Sequence, residues 1–326
     1  MLQIFRVAGI PVRVDASWLL VFALISWSLA SGYFPHVLPQ LTPGAAWLHA
    51  VTAACLLFAS VFLHELSHAL VARRQGVRVS GIRLHVFGGV SELEAEPPTP
   101  RAEFLIAVVG PLTSFALAAF CYGLGRAGGA VLWLTALTGY LTAVNLIVGL
   151  FNLVPGFPLD GGRLLRAMLW WGSGRLGWAT HWASRVGSLF AFMLVALGAV
   201  RAVAGELVGG LWFILIGLFL HRGARASASM VHMHDRLAPL RVADVMRYRP
   251  SANGDGVAAA PAPAGSDDVV SPESSAWLAF LKTARSRGGR VAVVDHGRLV
   301  GVVSHRDLEH AASVEQLRAG AGRRAA

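Results

Sequence analysis

The stretch from Trp47 to Val71 constrains this chain more than any other. Apart from Cys55, its only ionisable side chains are His49, His64, Glu65 and His68. The rest is apolar, and it exceeds the roughly 20 residues that a helix needs to cross a bilayer. Histidines four apart on a helix lie on one face, one turn from each other. His64 and His68 can therefore share one metal ion, and Glu65 beside them can polarise or deprotonate a water there. An ionisable cluster inside an apolar span is costly, which makes it a functional-site candidate by default.

The whole chain fits that setting. Of 326 residues 55% are hydrophobic and 14% charged, against about 25% charged in soluble domains. An integral membrane protein with a smaller polar part at its C-terminus is expected. The net charge of +10 raises the question of nucleic acid, but most arginines flank apolar spans, so no nucleic-acid partner is expected. Cys55 and Cys121 both fall in apolar segments and read as small buried hydrophobes. The N-terminal Met1-Leu2-Gln3-Ile4-Phe5-Arg6 lacks a signal-peptide pattern, so the first span is expected to be retained.

Six spans are expected, at about 16–35, 47–71, 102 onward, 129–151, 186–203 and 207–221. Ile10-Pro11-Val12-Arg13-Val14 reads as a short strand or an interfacial segment. Residues 77–95 alternate apolar and polar around Gly88-Gly89 and read as a small hairpin or sheet. Gly110-Pro111 interrupts span three, and two prolines and three glycines between Asn152 and Arg163 mark broken helix after span four. The basic, tryptophan-rich stretch 163–185 reads as an interfacial helix or linker. Arg6, Arg13, Arg73, Arg74, Arg78, Arg83, Arg101, Arg163, Arg166, Arg175, Arg185, Arg222 and Arg225 fall on one side, with Arg126 and Arg201 opposite. Excess arginine marks the cytoplasmic side, which predicts a multi-pass protein of the cell membrane with both termini cytoplasmic.

Beyond Met230 the composition becomes that of a small soluble α/β unit. A flexible Ala/Pro/Gly stretch covers 251–266, a helix runs from Ser274 to Arg287, and two strands flank His296-Gly297. Ser304 and Asp307 open a last helix as a cap and its partner three residues on. The expected organisation is a membrane domain over 1–225 and a soluble domain over 226–326.

Four motifs now stand in order: His64-Glu65-x-x-His68, Phe87-Gly88-Gly89, Gly110-Pro111-Leu112 and Asn152-x-x-Pro155-x-x-Pro158-Leu159-Asp160-Gly161-Gly162. Over roughly residues 10–220 the sequence resembles the site-2 protease family of intramembrane zinc metalloproteases. The resemblance implies that His64, His68 and Asp160 bind Zn2+, that Glu65 is catalytic, and that the Gly88 region lies against the active site as a β-hairpin or a membrane-re-entrant element, where an unwound substrate can add as a strand. It also implies a transmembrane protein substrate, such as an anti-sigma factor or a membrane-tethered transcription factor. Ser114 stands where relatives often have asparagine. The C-terminal unit resembles a CBS domain through Val242-x-Asp244-Val245-Met246, the Gly297 to Gly301 strand turn and Ser304-x-x-Asp307. That resemblance implies ATP or AMP as a ligand at Ser304 and Asp307. It also implies a homodimer, because such units work in pairs and one copy is visible.

On sequence alone His49, His85 and His181 also stand as third-ligand candidates; His49 falls at the opposite membrane edge. Hydrolysis needs a further donor for the oxyanion, and Asn152 is the candidate. Two other functions fit parts of the sequence: a zinc transporter gated by the CBS-like unit, and a non-catalytic membrane scaffold. The first calls for a second polar cluster along a path, and the second leaves Glu65 without a purpose.

Overall fold

The computed structural model describes residues 2–85, 88–129, 131–248, 269–286 and 288–322. Phe87 and the 251–266 stretch lie outside the described residues. The chain divides into two compact units, Met1–Arg225 and Ala226–Ala326.

In the first unit β1 (Leu2–Val7) and β2 (Ile10–Val14) precede α1 (Ala16–Ser28), a π-helical turn (Leu29–Tyr33) and α2 (Phe34–Val37). Then come α3 (Pro43–Arg74), β3 (Val79–His85), β4 (Gly88–Leu93), α4 (Pro100–Ala127), α5 (Leu132–Asn152), α6 (Asp160–Ser173) and α7 (Leu176–Val203), followed by α8 (Leu207–Leu237), within which the boundary between the two units falls. Among the described residues, six helical segments are long and apolar enough to cross a membrane: Ala16–Val37, α3, α4, α5, α7 and α8. Two of them start alike. Thr42 and Thr99 each precede a proline, and their side chains accept from Ala45 N at 3.3 Å and Ala102 N at 3.1 Å. A threonine cap satisfies an orphan N–H, and proline at the first helical position forgoes one that has no partner anyway.

Alanines on α3, among them Ala46, Ala50 and Ala53, are buried against Phe34, Leu137 and Leu141. In lipid, small residues allow the close approach that holds helices together, and polar side chains bond between them. Buried Asn145 on α5 does so, donating from Nδ2 to Ser60 Oγ on α3 at 3.3 Å.

The four strands form one sheet in the order β1-β2-β3-β4. β2 and β3 pair parallel while the outer pairs are antiparallel, so β4 is an edge strand. The 77–95 segment is thus a hairpin, and Ile10–Val14 is a strand rather than an interfacial segment. β1 had no clear alternation to reveal it; its pairing with β2 makes it a strand. Span five differs from expectation too. Its helix begins at Leu176, so Trp178, Trp182 and Arg185 are part of α7, and only α6 and a short turn separate it from the broken segment after span four. Basic and aromatic side chains lining the first turns of a membrane helix have the same composition as a separate interfacial helix.

The second unit contains α9 (Val242–Val245), β5 (Arg247–Tyr248), β6 (Val269–Val270), α10 (Ala276–Arg285), β7 (Arg290–Asp295), β8 (Arg298–Ser304) and α11 (His305–Gly322). Its sheet has the order β5-β8-β7-β6. Val291, Val293 and Val303 pack with Phe280 and Leu308 to form its core. The β7–β8 turn sits at His296 and Gly297, both with positive φ, the backbone that a two-residue hairpin requires.

Candidate metal centre

α3 brings His64 and His68 to one face, and both are buried, at 4% and 5% exposure. The start of α6 meets them there. Asp160 Oδ2 lies 3.2 Å from His64 Nε2 and 3.2 Å from His68 Nε2. The three ligand atoms all lie within 4.8 Å of one another.

The far ring nitrogens are fixed by α4. His68 Nδ1 donates to the Ile106 carbonyl at 2.6 Å, and His64 Nδ1 and Ser114 Oγ share a hydrogen bond at 2.9 Å. An imidazole whose proton is held on Nδ1 keeps its Nε2 lone pair for a metal ion, which is how outer partners set the tautomer of a metal-ligating histidine. Gly110, between those two contacts on α4, gives both rings room: a Cβ there would meet His68 Nε2 and His64 Nε2. Two imidazole nitrogens and one carboxylate oxygen form the donor set of an open tetrahedral zinc site, and the residues fit that ion.

Glu65 points beside this triad rather than into it. Ser91 Oγ on β4 lies 2.9 Å from the Glu65 carbonyl and 3.1 Å from Glu65 Oε2, so its one proton serves both. Gly89 on the same strand abuts the Glu65 side chain. A cavity of about 180 Å³ opens here, lined among others by His64, Glu65, His68, Ser91, Asn152 and Asp160. Asn152 ends α5, and Arg163 on α6 lines the cavity as well. Asp160, not His49, His85 or His181, thus stands with the two histidines. The Ile106 carbonyl and Ser91 escaped the sequence reading. The first is backbone and carries no residue signal; the second stands two positions after Gly89, the residue facing Glu65, on the same side of an alternating strand.

In the second unit Ser304 and Asp307 bond each other. Ser304 Oγ donates to Asp307 Oδ2 at 2.6 Å, Ser304 N donates to the same oxygen at 3.1 Å, and Asp307 N donates to Ser304 Oγ at 3.3 Å. The pair caps α11.

The profile described as Peptidase family M50 matches residues 52–129 and 129–195. The Rip3 protein of Mycobacterium tuberculosis is 42% identical over 248 residues, covering 75% of this chain and 63% of its own. The sll0528 protein of Synechocystis is 37% identical over 238 residues, covering 73% and 62%. The names of both mark a zinc metalloprotease as inferred. Zinc metalloprotease MJ0392 of Methanocaldococcus jannaschii is 28% identical over 317 residues, covering 93% and 77%. The chain spans under two thirds of the length of the first two relatives.

Proposed function

We propose that this chain is a zinc endopeptidase of peptidase family M50, whose profile matches residues 52–129 and 129–195, and that it cuts a peptide bond in or near a transmembrane helix of a membrane-protein substrate. The observation that carries this is the meeting of His64, His68 and Asp160 on one cavity with Glu65. When bound, zinc supplies a Lewis acid and brings the pKa of a water toward 7. Glu65 takes the proton of the attacking water and passes it to the leaving amine. Asn152, which lines the same cavity, donates to the developing oxyanion. A helix exposes no free backbone, so the substrate unwinds near the cytoplasmic surface and pairs along the edge of β4, which offsets its lost hydrogen bonds.

The same reading places the protein in the cell membrane with both termini cytoplasmic. An anti-sigma factor or a membrane-tethered transcription factor is the kind of substrate it takes. The test uses purified protein in liposomes with a panel of single-span substrates. Cleavage is expected with zinc, is lost on chelation and returns on adding zinc back. Wild-type protein that binds no zinc would remove the premise.

Residues 226–326 form, on this reading, a CBS-like domain that pairs with a second copy and binds ATP or AMP through Ser304 and Asp307. One charge-assisted hydrogen bond corresponds to roughly 1.5–3 kcal/mol, so Asp307→Ala is expected to weaken nucleotide binding about tenfold or more. Equal affinities in calorimetry would take those residues out of the site.

A further inference from the structure

We propose that Arg166 is a positioning residue for the metal centre: its buried fork onto Glu103 fixes the start of α6, and with it Asp160, against the face of α4 that orients both histidines. The inference rests on reading His64, His68 and Asp160 as a zinc site.

α4 presents Glu103, Ile106, Gly110 and Ser114 at steps of three and four, hence along one stripe. Three of these already serve the centre: Ile106 and Ser114 hold the imidazoles, and Gly110 gives them space. Glu103 is the fourth, one turn before Ile106, and is 1% exposed. Arg166 on α6 is 3% exposed. Its Nε donates to Glu103 Oε1 at 2.6 Å, and its Nη2 contacts the same oxygen and reaches Glu96 Oε2 at 2.8 Å. Its guanidinium carbon lies 5.3 Å from the centroid of the Phe157 ring. One planar group therefore joins α6 to α4, to the segment before α4 and to the broken segment after α5.

Apart from the contacts of Asp160 with the two histidines, the start of α6 has no other side-chain hydrogen bond to the rest of the protein before Arg166 among the described residues. The two residues after Asp160 are glycines at which an added Cβ would collide with the backbone of residues 153–157. Their lack of one lets the helix approach, but glycine has no side chain to set its rotation. Rotation about the helix axis decides where the Asp160 carboxylate points. Arg166 lies six residues on and is the first side chain of α6, among the described residues, that forms a directional bond to α4. A forked guanidinium constrains angle as well as distance, unlike an ammonium. Glu103 Oε2 has no hydrogen-bond partner among the described residues. A buried carboxylate left half-satisfied is a poor choice for stability alone.

The test compares Arg166→Lys, the paired Arg166→Met/Glu103→Met and Glu96→Gln with wild type. Zinc affinity is measured against a competing chelator, the melting temperature on metal-free protein, and the absorption spectrum with cobalt(II) in place of zinc. Apolar replacement of a whole buried ion pair is often neutral for folding, so the paired variant is expected to melt within a few degrees of wild type. Lost outer-shell partners reduce metal affinity about 10- to 100-fold. A fall of that size is expected for the lysine and paired variants, with a cobalt spectrum like that of Asp160→Asn. Glu96→Gln, at the half-buried outer arm of the fork, should stay within about twofold, the range in which rim contacts fall. Zinc affinity within twofold of wild type in either core variant overturns the proposal. So does a wild-type cobalt spectrum at reduced affinity. If the paired variant does not fold, Arg166→Lys, which keeps the buried charge, carries the test; failure of both to fold makes Arg166 a stability residue and also overturns it. Absence of zinc from wild type would instead sink the reading beneath it.

Discussion

Glu65→Gln is expected to slow substrate cleavage by about 10²- to 10⁴-fold, the usual contribution of one general base, or roughly 3–5 kcal/mol of barrier, and to leave bound zinc unchanged. The two halves of that result have separate structural causes. Zinc stays because Glu65 is not one of the three clustered ligands, and glutamine is isosteric, so neither α3 nor the histidines have reason to move. The new amide keeps its place, because its oxygen still accepts from Ser91 Oγ, which lies 3.1 Å from Oε2 in the acid. The amide cannot take a proton from water, and that is the one property removed. Metal analysis and single-turnover cleavage on the same preparation check it. Cleavage lost with zinc retained makes Glu65 the base. Equal cleavage by both proteins removes it from the chemistry and points to a contaminating enzyme. A structural zinc site in a non-catalytic scaffold has no use for a carboxylate held in this way.

The legible and illegible parts of this molecule divide along a physical line. What repeats along the chain could be read. The apolar spans, the alternation of residues 77–95 and the i, i+4 histidines are local patterns, and the structure has helices, a hairpin and a shared face where they fall. Contacts between distant segments could not be read from spacing. Asp160 is 92 residues from His68, and it entered through a resemblance of motifs, since Asp-Gly is an ordinary turn pair. The Ile106 carbonyl has no residue signature. Glu103 and Arg166 are visible in the sequence only as charges. Glu103 was passed over, and Arg166 was grouped with the interfacial arginines of 163–185. Both are buried instead. Composition reports that a charge lies near a span, whereas its partner decides whether it faces water or protein. The same ambiguity misplaced the start of span five, where Trp178 and Trp182 belong to α7 itself.

Gly110→Ala is expected to abolish zinc binding, a loss of 100-fold or more, in a protein that still folds. A methyl group built on Gly110 meets His68 Nε2, lies 2.5 Å from His68 Cε1 and 2.6 Å from His64 Nε2, and real Cβ contacts are essentially never under 3.0 Å. These are the nitrogens that face Asp160, so the added carbon takes the space that the ligand atoms converge on. The rings cannot step aside without breaking their bonds to Ile106 and Ser114, which flank Gly110 on the same helix. Helix propensity runs the other way. Alanine is about 1 kcal/mol better than glycine inside a helix, so α4 itself gains, and the zinc loss cannot be put down to a weaker helix. The matched control is Gly89→Ala on β4. Its methyl meets the Glu65 side chain, with Cδ at 3.0 Å and Oε1 at 3.1 Å, and no zinc ligand is among its nearest contacts. That variant is expected to keep zinc and lose cleavage. Metal analysis after gel filtration, with a metal-free melting curve for each, separates the two. Zinc retained at full stoichiometry by Gly110→Ala would mean that α4 stands further from the imidazoles than it does here, and the packing argument for the centre would fail with it.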